Sequence, residues 1–378
     1  MKVLLVEQFG KTVGRDSLGL STEINKNEEI EISLYLSDDT EIPPNKVYNF
    51  KIEKGFKNAF KGGIFNKIKN YLKSLYILKK YIEKNNIEIV HLQWFVIPWI
   101  EWIYVRLLKP KCKIAITVHD VIPFNNRFLE MKALDLIYKQ ADVLFLHTDY
   151  AKKEFKKYYS AKTPIKIITQ AFCNKSDYKK IDKIEARDYL NIPKDKVVFL
   201  FYGQIKNAKG LDVLIKAFAK EYNFNKDIYL LIGGRFQNVD EDYYKNLIKT
   251  YLNETNSKIT FEFIPYNLER YYFSAADVLC LPYRELTQSG VAQLGLMYDL
   301  PMIATNIGTM SNVVRNKENG LLFEIDNEKE CMQCIKIMAE NISFRKKCEI
   351  ISNKLSREEF SLEKKAKKII EGYKFIFK

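Results

Sequence analysis

Histidine is scarce in this chain of 378 residues: His91, His119 and His147 are the only three. Six cysteines are scattered at positions 112, 173, 280, 331, 334 and 348, and the single C-x-x-C, Cys331 to Cys334, has neither a second pair nor a nearby histidine in sequence. A zinc site needs such a set, so no metal is expected, and the thiols are expected to be reduced and structural. Long apolar runs are missing as well. The longest, Trp94 to Tyr104, is broken by Pro98 and Glu101 and is too short to span a bilayer. The opening MKVLLVEQFG runs straight into a strand-like segment with a charge at Glu7, so no secretory signal is expected and the chain is expected in the cytoplasm. The loop after that first strand, EQFGKTVG, lacks G-x-G-x-x-G, which counts against a nicotinamide-dependent enzyme.

What is present is apolar enough to fold. With 47% hydrophobic and 13% aromatic residues the chain reads as globular, and its length divides most naturally into two domains. The net charge of +14 accompanies a general abundance of Lys, Asn, Ile, Tyr and Phe, but the basic excess is uneven. Between Lys54 and Lys84 nine lysines face one glutamate, interleaved with Phe65, Tyr71, Leu72, Leu75 and Leu78. A basic amphipathic helix of this kind suits an anionic membrane surface; a solvated helix with its apolar stripe in the core fits equally. No recognition motif accompanies the charge, so nucleic acid is not expected as a partner.

Short, β-branched, continuous runs at Val3 to Val6, Ile30 to Leu36, Ile87 to Leu92, Lys113 to Val118, Val143 to His147 and Ile165 to Ile168 read as buried parallel strands separated by helices. After the polar stretch 174–196 the pattern restarts at Val197 to Tyr202, Ile228 to Gly233, Ile259 to Ile264, Val278 to Leu281 and Met302 to Ala304. Leu211, Leu214, Ile215 and Phe218 put an amphipathic helix between the first two of these. The fold class is therefore α/β, two doubly wound Rossmann-like domains: 1–173, a linker 174–196, 197–355, and a helical tail 356–378 expected to pack back on the first domain. Ligands of such sheets sit beyond the carboxyl ends of the strands.

Four loops stand at those ends. In Leu281 to Gly308, Thr287, Gln288, Ser289 and Gly290 open a helix with small or polar residues whose amides can approach a phosphate, where the helix dipole adds roughly half a positive charge. Glu285 sits at the mouth of that loop; an ordinary turn capped by Ser289 would use the same residues. YGQIKNAKG, after Val197 to Tyr202, offers Gly203 for close backbone approach and Lys206 and Lys209 as mobile charges suited to a diphosphate. Gly233 and Gly234 leave room beside the next strand, and TVHD at 117–120 projects His119 and Asp120.

In these motifs the chain resembles, over nearly its full length, the retaining, nucleotide-sugar-dependent glycosyltransferases of GT-B architecture, in the large group 1 family that includes many bacterial polysaccharide and lipopolysaccharide enzymes. TVHDVIPF (117–124), ADVLFLHTDYAKKEF (141–155), FYGQIKNAKGLDVLIKAF (201–218) and AADVLCLPYRELTQSGVAQLGLMYDLPMIAT (275–305) carry it, in the family's order. The resemblance implies that the second domain holds a UDP- or GDP-sugar across a cleft from the first, without metal. Lys209 would contact the phosphates, Glu285 the transferred sugar, and His119 the sugar near the reacting carbon. Gly203, Gln204, Lys206, Gly234, Thr287, Gln288, Ser289, Gly290 and Gln293 complete the expected donor site. Two positions depart from the family pattern: Gln293 stands where a second glutamate normally holds the ribose hydroxyls, and Gln204 where many relatives carry Arg. The expected acceptor is a glycan or polyprenyl-linked oligosaccharide met at the inner face of the membrane, and a catalytically silent binding subunit is the alternative.

Overall fold

The computed structural model describes residues 1–10, 13–42, 47–59, 61–122, 128–169, 171, 179–286 and 289–377. The chain divides into two compact units, 1–174 with 360–378, and 175–359. In chain order the first unit contains β1 (Lys2–Val6), α1 (Val13–Ile24), β2 (Glu31–Ser37), β3 (Lys51–Phe56), α2 (Ile64–Lys84), β4 (Ile89–Leu92), α3 (Pro98–Leu108), β5 (Lys113–Val118), α4 (Phe128–Tyr138), β6 (Val143–Leu146), α5 (Asp149–Tyr158) and β7 (Ile165–Ile167). The second contains α6 (Lys183–Leu190), β8 (Val197–Tyr202), α7 (Leu211–Tyr222), β9 (Ile228–Gly233), α8 (Glu241–Tyr251), β10 (Ser257–Thr260), α9 (Tyr266–Ala275), β11 (Val278–Leu281), α10 (Gly290–Met297), β12 (Met302–Thr305), α11 (Met310–Val313), β13 (Gly320–Phe323), α12 (Glu328–Glu340) and α13 (Ile342–Glu358); α14 (Leu362–Ile376) returns to the first.

Among the described residues the first sheet runs β3-β2-β1-β4-β5-β6-β7 and the second β10-β9-β8-β11-β12-β13, with parallel pairing throughout. Strand order reverses between β1 and β4 in one sheet and between β8 and β11 in the other, so each sheet has a crevice at that point. The strands are apolar on both faces because helices cover both: Leu75, Leu78, Val105 and Phe155 on one side of the first sheet, Leu18, Ile369 and Tyr373 on the other. This is the two-domain α/β architecture of GT-B.

Three elements depart from the sequence reading. The basic stretch 54–84 is not one helix: Lys54 to Phe56 end β3, whose alternating charges suit a sheet edge, and only 64–84 is helical. β10 lies at 257–260 rather than 259–264, stopping ahead of Pro265, which caps α9. The stretch read as a linker carries α6, whose buried Arg187 binds Asp277 at 2.6 Å and thereby belongs to the second unit. No helix among the described residues is long and apolar enough to cross a membrane.

Candidate functional site

In the second unit the crevice between β8 and β11 is lined by two loops that are tied to each other. After β8 the backbone turns at Gly203 (φ 114°), makes one 3-10 turn over Asn207–Lys209 and enters α7 through Gly210 (φ 61°). A Cβ at Gly210 would stand 1.9 Å from the carbonyl oxygen of Pro282, in the loop after β11. Only glycine permits that approach. The Arg284 amide donates to Ala208 O at 2.9 Å. The Arg284 guanidinium grips Asp212, at the start of α7, with two bonds of 2.9 and 2.7 Å, and also donates to Asn207 O (2.9 Å) and Asp326 (2.6 Å). A bidentate arginine fork of this kind fixes geometry as well as charge.

That clamp positions the two charges the sequence reading singled out. Lys209 lies with Nζ 3.6 Å from the centroid of the Tyr283 ring, and burial, with Lys206 nearby, pushes its pKa down to about 8. A partly dehydrated ammonium on an aromatic face is a cation held ready for an anion. Glu285, the residue after Arg284, is exposed. Ser289 caps α10, its Oγ accepting from the Ala292 amide at 3.1 Å, and a Cβ at Gly290 would meet open space. Gln293 is buried one turn further on, at 1% exposure. A Cβ at Gly203 would lie 3.5 Å from Val291, so the β8 loop runs beside the first turn of α10. Gln204 is exposed and Lys206 half-buried. Gly234 is explained by packing: a Cβ there would fall 1.7 Å from Gly203 O. Thr287 and Gln288 lie outside the described residues.

His119 belongs to the first unit, at the carboxyl end of β5. Its ring stacks on Trp94 (centroids 4.2 Å apart, planes 8° from parallel), and Nε2 lies 3.2 Å from Gln93 Oε1. Burial, reinforced by His147, Lys365 and His91, holds its pKa well below the usual histidine value, so the ring is neutral. Asp120 is raised by burial. The other two histidines differ in role. His91 is fully buried between Tyr373 Oη (2.6 Å) and Thr117 Oγ1 (2.8 Å) and is a core residue; burial pushes both His91 and His147 down to about 3.

Several residues of these crevices carry no local motif. Glu7, just past β1, is buried, accepts from the Phe9 amide (3.0 Å) and Ser17 Oγ (3.1 Å), and is pushed up to about 8 by burial. Its signal was a lone carboxylate directly after an apolar strand. Gln93 and Trp94 follow β4 in the same way. Arg284 was legible only as a neighbour of Glu285. Among the described residues no three His, Cys, Asp or Glu gather as metal ligands.

Comparison with known proteins agrees with the two-unit fold. The model described as "Glycosyl transferases group 1" matches residues 182–354, and that described as "Glycosyltransferase Family 4" matches 30–171. A 41.2 kDa protein of the cps region of Klebsiella pneumoniae is 23% identical over 273 residues, 69% of this chain and 72% of that one. Among solved structures, sucrose-phosphate synthase from Thermosynechococcus elongatus superposes with TM-score 0.76 at 16% identity, covering 100% of this chain and 99% of that one. The Anabaena protein HepE, solved with UDP and glucose, gives TM-score 0.74 at 17% identity, with 99% of both chains covered. Each family model falls on one of the two units and the GT-B fold extends over the whole length: the chain belongs to the group 1 glycosyltransferases.

Proposed function

We propose that the chain moves a sugar from a nucleoside diphosphate sugar, UDP- or GDP-linked, to a glycan or lipid-linked glycan, with retention of anomeric configuration, in the making of bacterial surface polysaccharide or lipopolysaccharide. The observation that carries this reading is the clamped pair of loops at the β8–β11 crevice, in which Lys209 lies on the Tyr283 ring, Glu285 follows Arg284 against Ala208, and Gly203 runs beside the first turn of α10. The Anabaena relative's UDP and glucose fit the same chemistry. As the bond to the diphosphate lengthens, negative charge grows on the leaving group, and Lys209, Lys206 and the amides at 287–290 stabilise it where it develops. Glu285 orients sugar hydroxyls, His119 contacts the sugar near the reacting carbon, and Gln293 takes the ribose. In this scheme lysines and helix dipole supply the positive charge, and no metal is invoked.

The acceptor is met at an anionic membrane surface. α2 supports this: Phe65 is 85% and Ile64 70% exposed, Leu72 and Tyr76 follow on the helix, and Lys67, Lys69 and Lys73 flank them. Exposed apolar groups set among lysines match an interfacial helix better than a solvated one. Sedimentation with anionic and neutral liposomes tests it; equal, negligible binding to both removes the membrane from the scheme.

For the transfer itself, UDP- and GDP-sugars screened by thermal shift should give one clear responder, with transfer lost in Glu285→Ala. A second reading, a silent binding subunit, draws on Gln293 in place of the usual glutamate. A responder that wild-type protein neither hydrolyses nor transfers, with any glycan acceptor offered, would favour it.

A further inference from the structure

Gln93 stands beside His119 without any part in the scheme above. Its backbone is fixed, the amide donating to Val6 O at 3.1 Å and so tying the end of β4 to β1. Its side chain is 96% removed from solvent (4% exposed), and among the described residues its bond to His119 is the one its side-chain amide makes. A neutral imidazole carries a single N–H, and a carbonyl oxygen can only accept. With Oε1 facing Nε2 at 3.2 Å, the proton must sit on Nε2, since two lone pairs opposed at that distance would repel. Trp94, the next residue, fixes the other degree of freedom: the parallel stack at 4.2 Å sets the plane of the ring while Gln93 sets its rotation within that plane. Residues 93 and 94 thus restrain His119 from one short loop.

We propose that Gln93 is a positioning residue of His119, which, with Trp94, holds the imidazole in the Nε2–H tautomer and in one orientation for the sugar. The inference rests on the glycosyltransferase reading of His119, but it concerns a different atom pair and can be read without turnover. The groups that face His119 are His91 and His147 on the flanking strands and Lys365 from α14, all of which disfavour a cation there. Gln93 therefore acts on a neutral ring, where tautomer rather than charge is the variable.

The test uses the full chain with 15N-labelled histidine. Three histidines give three ring spin systems, assigned by single His→Gln variants. Long-range proton–nitrogen spectra should show His119 protonated at Nε2 near pH 7. Gln93→Leu should convert it to a mixture of tautomers and lower kcat tenfold or more with donor KM changed less than twofold. Gln93→Glu keeps an acceptor in place, so it should retain the Nε2 proton and raise the pKa of His119, moving the acid limb of the pH–rate profile upward. A purely structural Gln93 would move none of these together. An Nδ1–H tautomer in the wild type, or an unchanged spectrum and kcat in a folded Gln93→Leu, would overturn the proposal. Normal transfer by His119→Ala would instead overturn the role given to His119, while the tautomer spectra would still read the Gln93 bond.

Discussion

Lys209 gives the sharpest quantitative prediction. In the ligand-free protein burial pushes its pKa down to about 8, against an ordinary value near 10.5, because the ammonium has lost part of its water and has a second lysine, Lys206, for a neighbour. A bound diphosphate restores the preference for charge, so the pKa in the complex lies higher. At pH 9 only about a tenth of the free protein has Lys209 charged, and each further pH unit lowers that fraction about tenfold, or about 1.4 kcal/mol. Donor binding above pH 8 must then take up a proton, and the apparent Kd should weaken by up to about tenfold per unit until the pKa of the complex is reached. Stability of the empty protein should move the other way. A lysine whose folded pKa is depressed releases its proton earlier in the native state than in the unfolded one, so between about 8 and 10.5 the unfolded state binds more protons and stability rises with pH. Calorimetric titration of donor at pH 7 to 9.5, in buffers of different ionisation enthalpy, measures both Kd and the proton uptake. Lys209→Met should weaken binding at pH 7 and flatten the profile. A Kd that is constant from pH 7 to 9.5, or a slope that survives in Lys209→Met, would refute the assignment of Lys209 to the phosphates.

Three further outcomes follow from the geometry. Arg284→Met leaves Asp212 without its partner and unties the two loops; urea unfolding should show a loss of roughly 2 kcal/mol, reduced from the buried-pair figure because the site is partly open, and kcat should fall more than donor affinity. Glu7, raised to about 8, is a buried acid: between about 4.5 and 8 the native state holds the proton and the unfolded state does not, so stability contributed there is lost as pH rises, and Glu7→Gln should melt higher than wild type at pH 8 and level with it near pH 4.5. Gln293→Glu would place a carboxylate at a position 1% exposed; the empty protein should lose stability in a thermal melt while ribose-containing ligands bind more tightly, because a charged acceptor makes the stronger hydrogen bond once the ligand covers the desolvation cost. If the variant lost stability and affinity together, Gln293 would not contact the ribose.

Much of the fold was legible because the elements that define it are local. β8, β9 and β11 coincide with apolar runs at 197–202, 228–233 and 278–281, and α7 with the 211, 214, 215, 218 repeat. What escaped was set by position in the sheet rather than by pattern. β3, KIEKGF, pairs among the described residues only with β2 and can afford lysine and glutamate on that edge, so it reads as part of a basic helix. β13, GLLF, is four residues at the other sheet's edge and is too short to show a period. The tail was legible as a helix, but the reason it matters was not: Tyr373 reaches His91 across 282 positions of sequence to satisfy a buried ring nitrogen.

The same contrast separates the two halves of the candidate site. In the second unit the candidate residues fall within two contiguous loops, 203–210 and 282–293, so Lys209 and Glu285 stand out in the sequence, and the structure adds chiefly Arg284, the brace between the loops. In the first unit the crevice is assembled from one or two residues at each strand end, Glu7 after β1, Gln93 and Trp94 after β4, His119 after β5 and His147 after β6, with Lys365 arriving from α14. His119 and His147 lie in segments with a recognisable pattern, TVHDVIPF and ADVLFLHTDYAKKEF, whereas Glu7, Gln93, Trp94 and Lys365 have none in theirs. A glutamine and a tryptophan after a strand could serve any core, and only the stack at 4.2 Å and the bond at 3.2 Å make them the restraints on His119. The physical consequence is that substitutions in the first unit can change the surroundings of His119 without touching a recognisable motif, because its ring is bonded by a neighbour that the sequence separates by 26 residues.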